Sequence, residues 1–313
     1  MPRRSWRASV TEAAPTRAGF IAVLGAPNAG KSTLVNHLVG AKVTIVSAKV
    51  QTTRSRVLGI VQHPPAQLIF VDTPGLFQPR RRLDRAMVAA AWSGAADADL
   101  VLLLIDAKRG YDEDSRAIVA RLKDSGRRAL LALNKIDKVA DKKRLLDLAA
   151  LLDGEGVFDA IYMISAETGD GCPQLLDDLA QRLPAGPFLF PEDQISDLPE
   201  RLLASEITRE QLYHQLHQEL PYTATVETEA WTEQKDGSVR IEQIIYVERD
   251  SQKSIVLGAK GARIKALGQA ARAELETLLE RRVHLFLFVK VRADWQDDRE
   301  RYRAIGLDFD QGS

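Results

Sequence analysis

From Phe20 to Leu183 the hydrophobic positions fall into short continuous runs separated by amphipathic stretches. Phe20–Leu24, Gln67–Val71, Leu100–Ile105, Ala129–Leu133 and Ala160–Ile164 are apolar and closed by turn residues. Ser32–Val39, Asp112–Leu122 and Lys142–Leu152 lie between them with helical spacing. A strand that is apolar on both faces must be covered on both. The pattern therefore predicts an α/β unit, a mostly parallel sheet with helices on both sides. Arg56–Gln62 reads as one further strand, antiparallel and at the edge. In such sheets ligands bind at the carboxyl ends of the strands.

The alternation stops at Pro184–Pro199, where five residues, Pro184, Gly186, Pro187, Pro191 and Pro199, mark a linker. A different order follows. Leu202–Glu219 reads as a helix, then Thr223–Thr232 and Val239–Glu248 as strands joined by a turn at Asp236–Gly237. A helical stretch from Gln252 is broken by glycines and resumes at Ala262; Val283–Val291 is a last strand and Asp297–Ala304 a short last helix.

Composition adds little to this. The 313 residues are 45% hydrophobic and 27% charged, which suits two soluble globular domains. Basic and acidic residues balance at 43 each, so partners must be sought in local charge. Cys172 is the single cysteine, so no intrachain disulfide forms, as in a reducing compartment. Its expected role is packing. No apolar run approaches the roughly 20 residues that span a bilayer. Met1–Ala18 is basic and lacks the apolar core of a secretory signal. It reads as a disordered tail, with an organelle transit peptide as the alternative.

The chemistry sits at the strand ends. Gly25-Ala26-Pro27-Asn28-Ala29-Gly30-Lys31-Ser32, with Thr33 behind it, is a P-loop between a strand and a helix. Its backbone N–H groups and the helix N-terminus suit phosphates. Lys31 is expected on the β- and γ-phosphates and Ser32 on magnesium. Asn134-Lys135-Ile136-Asp137 ends the fifth strand and selects the base. Guanine offers two adjacent donors, N1–H and the 2-amino group, which one Asp137 carboxylate can accept. Adenine would set an acceptor against that buried carboxylate, and a site built on such bonds rejects the wrong ligand by roughly 10⁴-fold or more. Lys135 can lay its stem on the base, and Asn134 can tie this loop to the P-loop. Asp72-Thr73-Pro74-Gly75 ends the third strand: Asp72 is the expected acid holding magnesium through water, and the Gly75 amide is expected to sense the γ-phosphate. In Gln51-Thr52-Thr53-Arg54 a threonine hydroxyl, Thr53 in preference to Thr52, is expected to join magnesium only in the triphosphate state.

Ser165-Ala166-Glu167 resembles the remaining guanine loop of GTPases, with the Ala166 amide set against the base oxygen. Leu76 stands where many GTPases carry a water-orienting glutamine. In GTPases with an apolar residue there, an asparagine at the place of Asn28 often holds potassium; the alternative is that Asn28 only shapes its loop.

Over Ser251–Ala293 nine basic residues face three acidic ones, a net of +6. Gly258-Ala259-Lys260-Gly261 lies within, between two helical stretches. It matches the GXXG loop that clamps about four nucleotides in KH domains, and the element order is that of the type II arrangement. The alternative is a helix–helix turn with a solvated basic face. Val256, Gly258, Ala259, Lys260, Gly261, Arg263, Ile264 and Lys265 are the expected RNA contacts.

From Ala18 to about Leu307 the chain resembles the Era family, bacterial GTPases of small-subunit ribosome assembly. GAPNAGKSTLVN, QTTRSR, DTPGL, NKID and SAETG resemble the family's nucleotide motifs; FPEDQISD resembles its linker, and ELPYTATVE, VLGAKGARIK and VHLFLFVKV its KH segments. The resemblance implies a GTPase domain over 18–184, a linker over 185–199 and a type II KH domain over 200–313, behind a tail of 1–17. It implies GTP and GDP as ligands, magnesium as cofactor with potassium as a candidate second ion, and Lys31, Asn28, Thr53 and Gly75 at the reacting phosphate. The implied partners are the single-stranded 3′ end of small-subunit ribosomal RNA and the 30S precursor, with no DNA. The implied location is cytoplasmic, with a peripheral contact at the inner membrane face left open. A GTP-gated RNA-modification factor and a non-enzymatic RNA-binding scaffold are the other readings. The first needs a further catalytic constellation, which the sequence does not offer, and the second needs a damaged nucleotide motif.

Overall fold

In the computed structural model, which describes residues 15–312 except 48, 50, 51, 80 and 217–219, the first half is one six-stranded sheet. The elements run β1 (Arg17–Gly25), α1 (Lys31–Val39), β2 (Val57–His63), β3 (Ala66–Asp72), α2 (Arg82–Asp97), β4 (Leu100–Asp106), α3 (Glu113–Asp124), β5 (Ala129–Asn134), α4 (Lys143–Asp153), β6 (Phe158–Met163) and α5 (Cys172–Arg182). The strand order is β2-β3-β1-β4-β5-β6, all parallel except β2, which runs antiparallel to β3 at the edge. The continuous apolar runs are explained by two cores. Leu24, Leu103 and Leu131 enter one, under α3 and α4; Val23, Leu102 and Leu130 enter the other, under α1 and α5. Successive residues of a strand point to opposite faces, so both must be apolar here. β1 lies between β3 and β4, and the strand order reverses there; that crevice holds the P-loop.

The second half comprises α6 (Glu200–Gln215), β7 (Ala224–Glu233), β8 (Val239–Val247), α7 (Asp250–Leu257), α8 (Ala262–Leu278), β9 (Val283–Val291) and α9 (Arg299–Ala304). β7 pairs antiparallel and β9 parallel with β8. α6, α7 and α8 cover one face of this sheet. Ile45, from the segment between α1 and β2, is buried in the second core with Ala204, Ile207, Val239, Ile241, Leu275 and Val283.

The stretch expected as a linker is bonded to the first sheet. Ile60 N donates to Ile195 O (2.9 Å) and Leu58 N to Asp197 Oδ1 (2.9 Å), along the outer side of β2. Buried Gln67 takes Leu189 N (2.8 Å) and Phe190 N (3.0 Å) on its side-chain oxygen. At the other end of the chain, Trp295, Tyr302 and Leu307 pack on Leu83, Ala86 and Met87 of α2.

Several expected bounds shift. Arg17, assigned to the tail, opens β1 opposite Ala66, and residues 1–14 lie outside the described residues. The helix expected to reach Glu219 ends at Gln215, where Leu216 turns extended to return to β7. The last helix starts at Arg299 because Asp298 caps it, accepting from Glu300 N (3.1 Å). No helix among the described residues is long and apolar enough to cross a membrane.

Candidate functional site

The predicted nucleotide residues converge. A cleft of about 290 Å³ lies at the carboxyl ends of the strands, and its walls include Asn28, Lys31, Thr53, Gly75, Asn134 and Ala166. The P-loop turns sharply from β1 into α1, and Gly30 is held at φ 100°. A Cβ on Gly30 would stand 2.2 Å from Asn134 Nδ2, so the base loop closes directly on the phosphate loop. Asn134 completes that closure by donating to Ala29 O (2.8 Å). On the other side Gly75 approaches Pro27, where a Cβ would come within 3.0 Å, and Leu76 N donates to Gly25 O (3.0 Å).

Lys31 is 6% exposed and turns its ammonium back onto the Gly25 and Ala26 carbonyls (3.0 and 3.1 Å). Burial pushes it down to about 8, against the opposing charge of Asp72. Asp72 is fully buried and gathers three hydroxyls on Oδ2: Ser32 (2.7 Å), Thr44 (3.0 Å) and Thr53 (3.3 Å). Burial raises its carboxyl above the usual range, while Lys31 and these hydroxyls oppose that. Its Oδ1 is buried without a hydrogen-bond partner among the described residues. A carboxylate with an unused oxygen beside Ser32 and Thr53, themselves 2.9 Å apart, offers the hard oxygen donors that a magnesium ion takes. Thr52 turns away, its hydroxyl bonded to Ser47 Oγ (2.6 Å) and Lys49 O (2.8 Å). Gln51 lies outside the described residues.

The base side departs from expectation at two places. The Ala166 amide, assigned to a base oxygen, donates to Asn134 Oδ1 (2.9 Å). That oxygen also takes Lys135 N (2.8 Å) and is buried, so it needs its donors. Asp137, read as a buried carboxylate, is exposed, because it sits in the 3-10 turn Ile136–Lys138 whose buried residue is Ile136. Lys135 extends over the cleft and reaches Asn28 O (2.5 Å) and Asp106 Oδ2 (2.7 Å). Lys138 bridges to Glu167 at 2.8 Å, joining the two base loops. Ser165 is buried and its hydroxyl accepts from Thr168 N (3.2 Å).

Thr44, Asp106 and Lys138 were not anticipated. Asp106 had a signal, since like Asp72 it is an acid ending a buried strand. Thr44 had none, because its contact with Asp72 spans 28 positions of chain.

In the second half Gly258–Gly261 joins α7 to α8. Gly258 has φ 70°, and a Cβ there would meet Arg263 Cβ at 2.7 Å, so glycine is required. Ala259 and Lys260 are exposed, as are Arg263 and Lys265, and Ile264 is half-buried against the core. Val256 is the exception. It was placed among the RNA contacts but is fully buried with Leu212, Ile245 and Leu267, and Ile255 is the exposed neighbour. α7 is only two turns long, and Val256 is its buried residue.

Residues 20–135 match the family model described as 50S ribosome-binding GTPase, and residues 219–296 match that of the KH domain. GTPase Era of Mesorhizobium japonicum is 63% identical over 298 residues, covering 95% of this chain and 96% of the relative. GTPase Era of Sinorhizobium medicae is 62% identical over 297 residues, covering 95% and 96%. A crystal structure of Era in complex with MgGDPNP and nucleotides 1506–1542 of 16S ribosomal RNA matches at TM-score 0.88 and 38% identity, covering 93% of this chain and 99% of that one. A variant of Aquifex aeolicus Era bound to GDP·AlF4⁻ matches equally well, at TM-score 0.88 and 38% identity. With a P-loop GTPase domain, a KH domain and this likeness over nearly its whole length, the chain belongs to the Era family of GTPases.

Proposed function

We propose that the chain hydrolyses GTP as a switch whose KH domain grips the single-stranded 3′ end of small-subunit ribosomal RNA during assembly of the 30S precursor. The GTPase domain is taken as 18–184, the linker as 185–199 and the KH domain as 200–313. The observation that carries the switch is the gathering of Ser32 and Thr53 on one buried carboxylate, Asp72. Thr53 reaches that carboxylate from the segment between α1 and β2, so its hold depends on what occupies the phosphate end of the cleft.

In the proposed roles Lys31 leaves the Gly25 and Ala26 carbonyls for the β- and γ-phosphates, where its charge meets a partner. Ser32 and Thr53 ligate magnesium directly and Asp72 does so through water. The bound ion neutralises charge on the β- and γ-phosphates. Gly25, Ala29, Gly30 and Thr33 line the phosphates, and the Gly75 amide faces the γ-phosphate. Asn134, Lys135, Asp137, Ser165, Ala166 and Glu167 form the guanine end. Lys135 already spans from the P-loop to Asp106 there, and Asp137 closes onto the two base donors. Leu76 cannot hold the attacking water by a hydrogen bond. Asn28 is proposed to hold potassium at the phosphates instead, supplying the positive charge that an arginine finger supplies elsewhere.

The RNA half of the proposal rests on the KH domain and on what the related Era structure holds, nucleotides of 16S ribosomal RNA. Ala259 and Lys260 stand exposed on a loop with two glycines, and a net of +6 surrounds it. The proposed setting is the cytoplasm; the membrane contact left open by the sequence gains no supporting feature among the described residues. The test is RNA affinity at fixed salt, with GDP and with a non-hydrolysable GTP analogue, since phosphate contacts make affinity salt-dependent. Tighter binding with the analogue, typically within 5–150-fold, is expected. Identical affinities would reduce the protein to two independent modules.

A further inference from the structure

The segment between α1 and β2 forms no helix or strand among its described residues, so its course is set by contacts rather than by a ladder of backbone bonds. Near Thr53 those contacts come from the second half of the chain, and two of them bracket it. On the N-terminal side Arg209 Nη2 donates to Thr52 O (2.6 Å). That oxygen shares one planar peptide unit with the nitrogen and Cα of Thr53, so a grip on the carbonyl fixes the plane from which the Thr53 side chain departs. On the C-terminal side Arg54 Nη1 donates to Ala224 O (3.0 Å) at the start of β7, and its guanidinium lies 5.6 Å from the centre of the Trp295 ring.

Arg209 itself has little freedom. It is 1% exposed. Glu206, one turn back on α6, accepts from its Nε (2.8 Å) and from its Nη2. One turn on, the centre of the Tyr213 ring stands 5.3 Å from the guanidinium. A planar fork held in this way points its donor in a fixed direction. The aim of Nη2 at the Thr52 carbonyl is therefore built into α6. Arg209 does not itself line the nucleotide cleft, whereas Thr53 does.

We propose that Arg209 is a positioning residue for Thr53: from α6 it sets the place of the threonine hydroxyl and thereby the magnesium affinity of the triphosphate complex. The inference rests on the reading above, in which Thr53 joins magnesium only while the γ-phosphate is present. Magnesium demands near-ideal octahedral geometry with ligands at about 2.0–2.1 Å, so a hydroxyl displaced by a fraction of an ångström is a poor ligand. The Thr53 hydroxyl already stands 2.9 Å from Ser32 Oγ, the other proposed direct ligand. Loss of the Arg209 grip frees the Thr52–Thr53 peptide to rotate, and the pair of hydroxyls is no longer held ready for the ion.

The test uses the full-length protein carrying a fluorescent non-hydrolysable GTP analogue or, separately, fluorescent GDP. Magnesium is titrated into each complex and its affinity is read from the fluorescence. Arg209→Met should weaken magnesium roughly 3- to 30-fold in the analogue complex, the range of couplings between contacting residues. With GDP the change should stay under about twofold, because the threonine is released with the γ-phosphate. Thr53→Ala should show the same selectivity, and the double variant should lose no more than Thr53→Ala alone. Arg209→Lys keeps the charge beside Glu206 but not the planar fork; it should show the same selective loss, and it carries the test if the Met variant does not fold. Arg201→Met is the control: Arg201 is on the same helix but donates to Thr228 O and Glu229 O (both 3.1 Å), and its loss should leave both affinities unchanged. Equal losses with both nucleotides, an equal loss in Arg201→Met or additive losses in the double variant would reduce Arg209 to structural support and overturn the proposal. So would unchanged affinity in the Arg209 variants where Thr53→Ala lowers it. If Thr53→Ala leaves magnesium affinity unchanged in the analogue complex, the reading of Thr53 falls and the proposal falls with it.

Discussion

Arg209 Nη2 donates to the Thr52 carbonyl at 2.6 Å, and the next residue, Thr53, turns its hydroxyl to Asp72 at 3.3 Å. The segment between α1 and β2 is held on both sides at once. Glu210 of α6 accepts from Val46 N (2.7 Å) and pairs with Lys42, which also reaches Glu274 of α8. A displacement of Thr53 therefore strains the contacts with α6, a helix of the second half of the chain.

That arrangement makes the GXXG loop a place to separate the two activities. Replacing Ala259 and Lys260 together with Asp sets two negative charges against RNA phosphates. RNA affinity should fall by an order of magnitude or more, while basal GTP hydrolysis stays within about twofold, because surface changes away from the P-loop leave its structure intact. Fluorescence anisotropy and phosphate release on the same preparation would check both. Intact RNA binding would remove this loop from the interface.

Asp137→Asn should exchange the base preference. The amide can donate to the 2-oxo group of xanthine but cannot accept both guanine donors. GTP affinity should drop by about 10²-fold or more and that for XTP should rise. Competition among GTP, ATP and XTP measures it, and an unaltered GTP preference would free Asp137 of its assigned role.

Potassium provides the third test. At equal ionic strength hydrolysis should run faster in potassium than in sodium. Asn28→Ala should erase that difference while GDP still binds. Equal rates in both salts would leave Asn28 as a residue that shapes its loop, held at φ 64°.

Buried Cys172 carries a prediction of another kind. Burial, with Asp170 nearby, pushes its thiol up to about 11, and the residue is 2% exposed. The thiolate is the reactive form. At pH 8 the folded protein should resist iodoacetamide for hours, and unfolding should restore ordinary reactivity. Since the folded value lies above the unfolded one, the thiol form is favoured by folding; this contribution is full below the unfolded value and fades as pH rises toward 11. Rapid labelling of the folded chain would contradict the packing assigned to Cys172.

How far the sequence was legible depends on whether the cause was local. The strands of the first sheet were readable because each must be apolar on two faces, and the P-loop, NKID and DTPG because each is a contiguous string. The contact of Thr44 with Asp72 is a fact of tertiary packing and left no mark. Asp137 was misread as buried, because its neighbour Ile136 alone satisfies the core at that turn. Val256 was placed on the RNA side but is buried, since on a helix of eight residues a single step rotates the inward side by about 100°. The docking of Trp295 and Tyr302 on α2 joins segments some 200 residues apart, beyond any local pattern.

The stretch from Leu189 to Asp197 has a second consequence, for how the protein behaves in a crowd. β2 is the outermost strand on its side of the six-stranded sheet, and an unpaired strand edge is a template for the next molecule. Ile195 O and Asp197 Oδ1 occupy the outward N–H groups of Ile60 and Leu58, and Phe190 sets its ring edge-on to Phe20. The connector thus acts as a guard rail against aggregation as well as a tether. Its length and its hold on β2 are under a constraint unrelated to RNA or nucleotide, and a loosened connector would cost solubility before it cost catalysis.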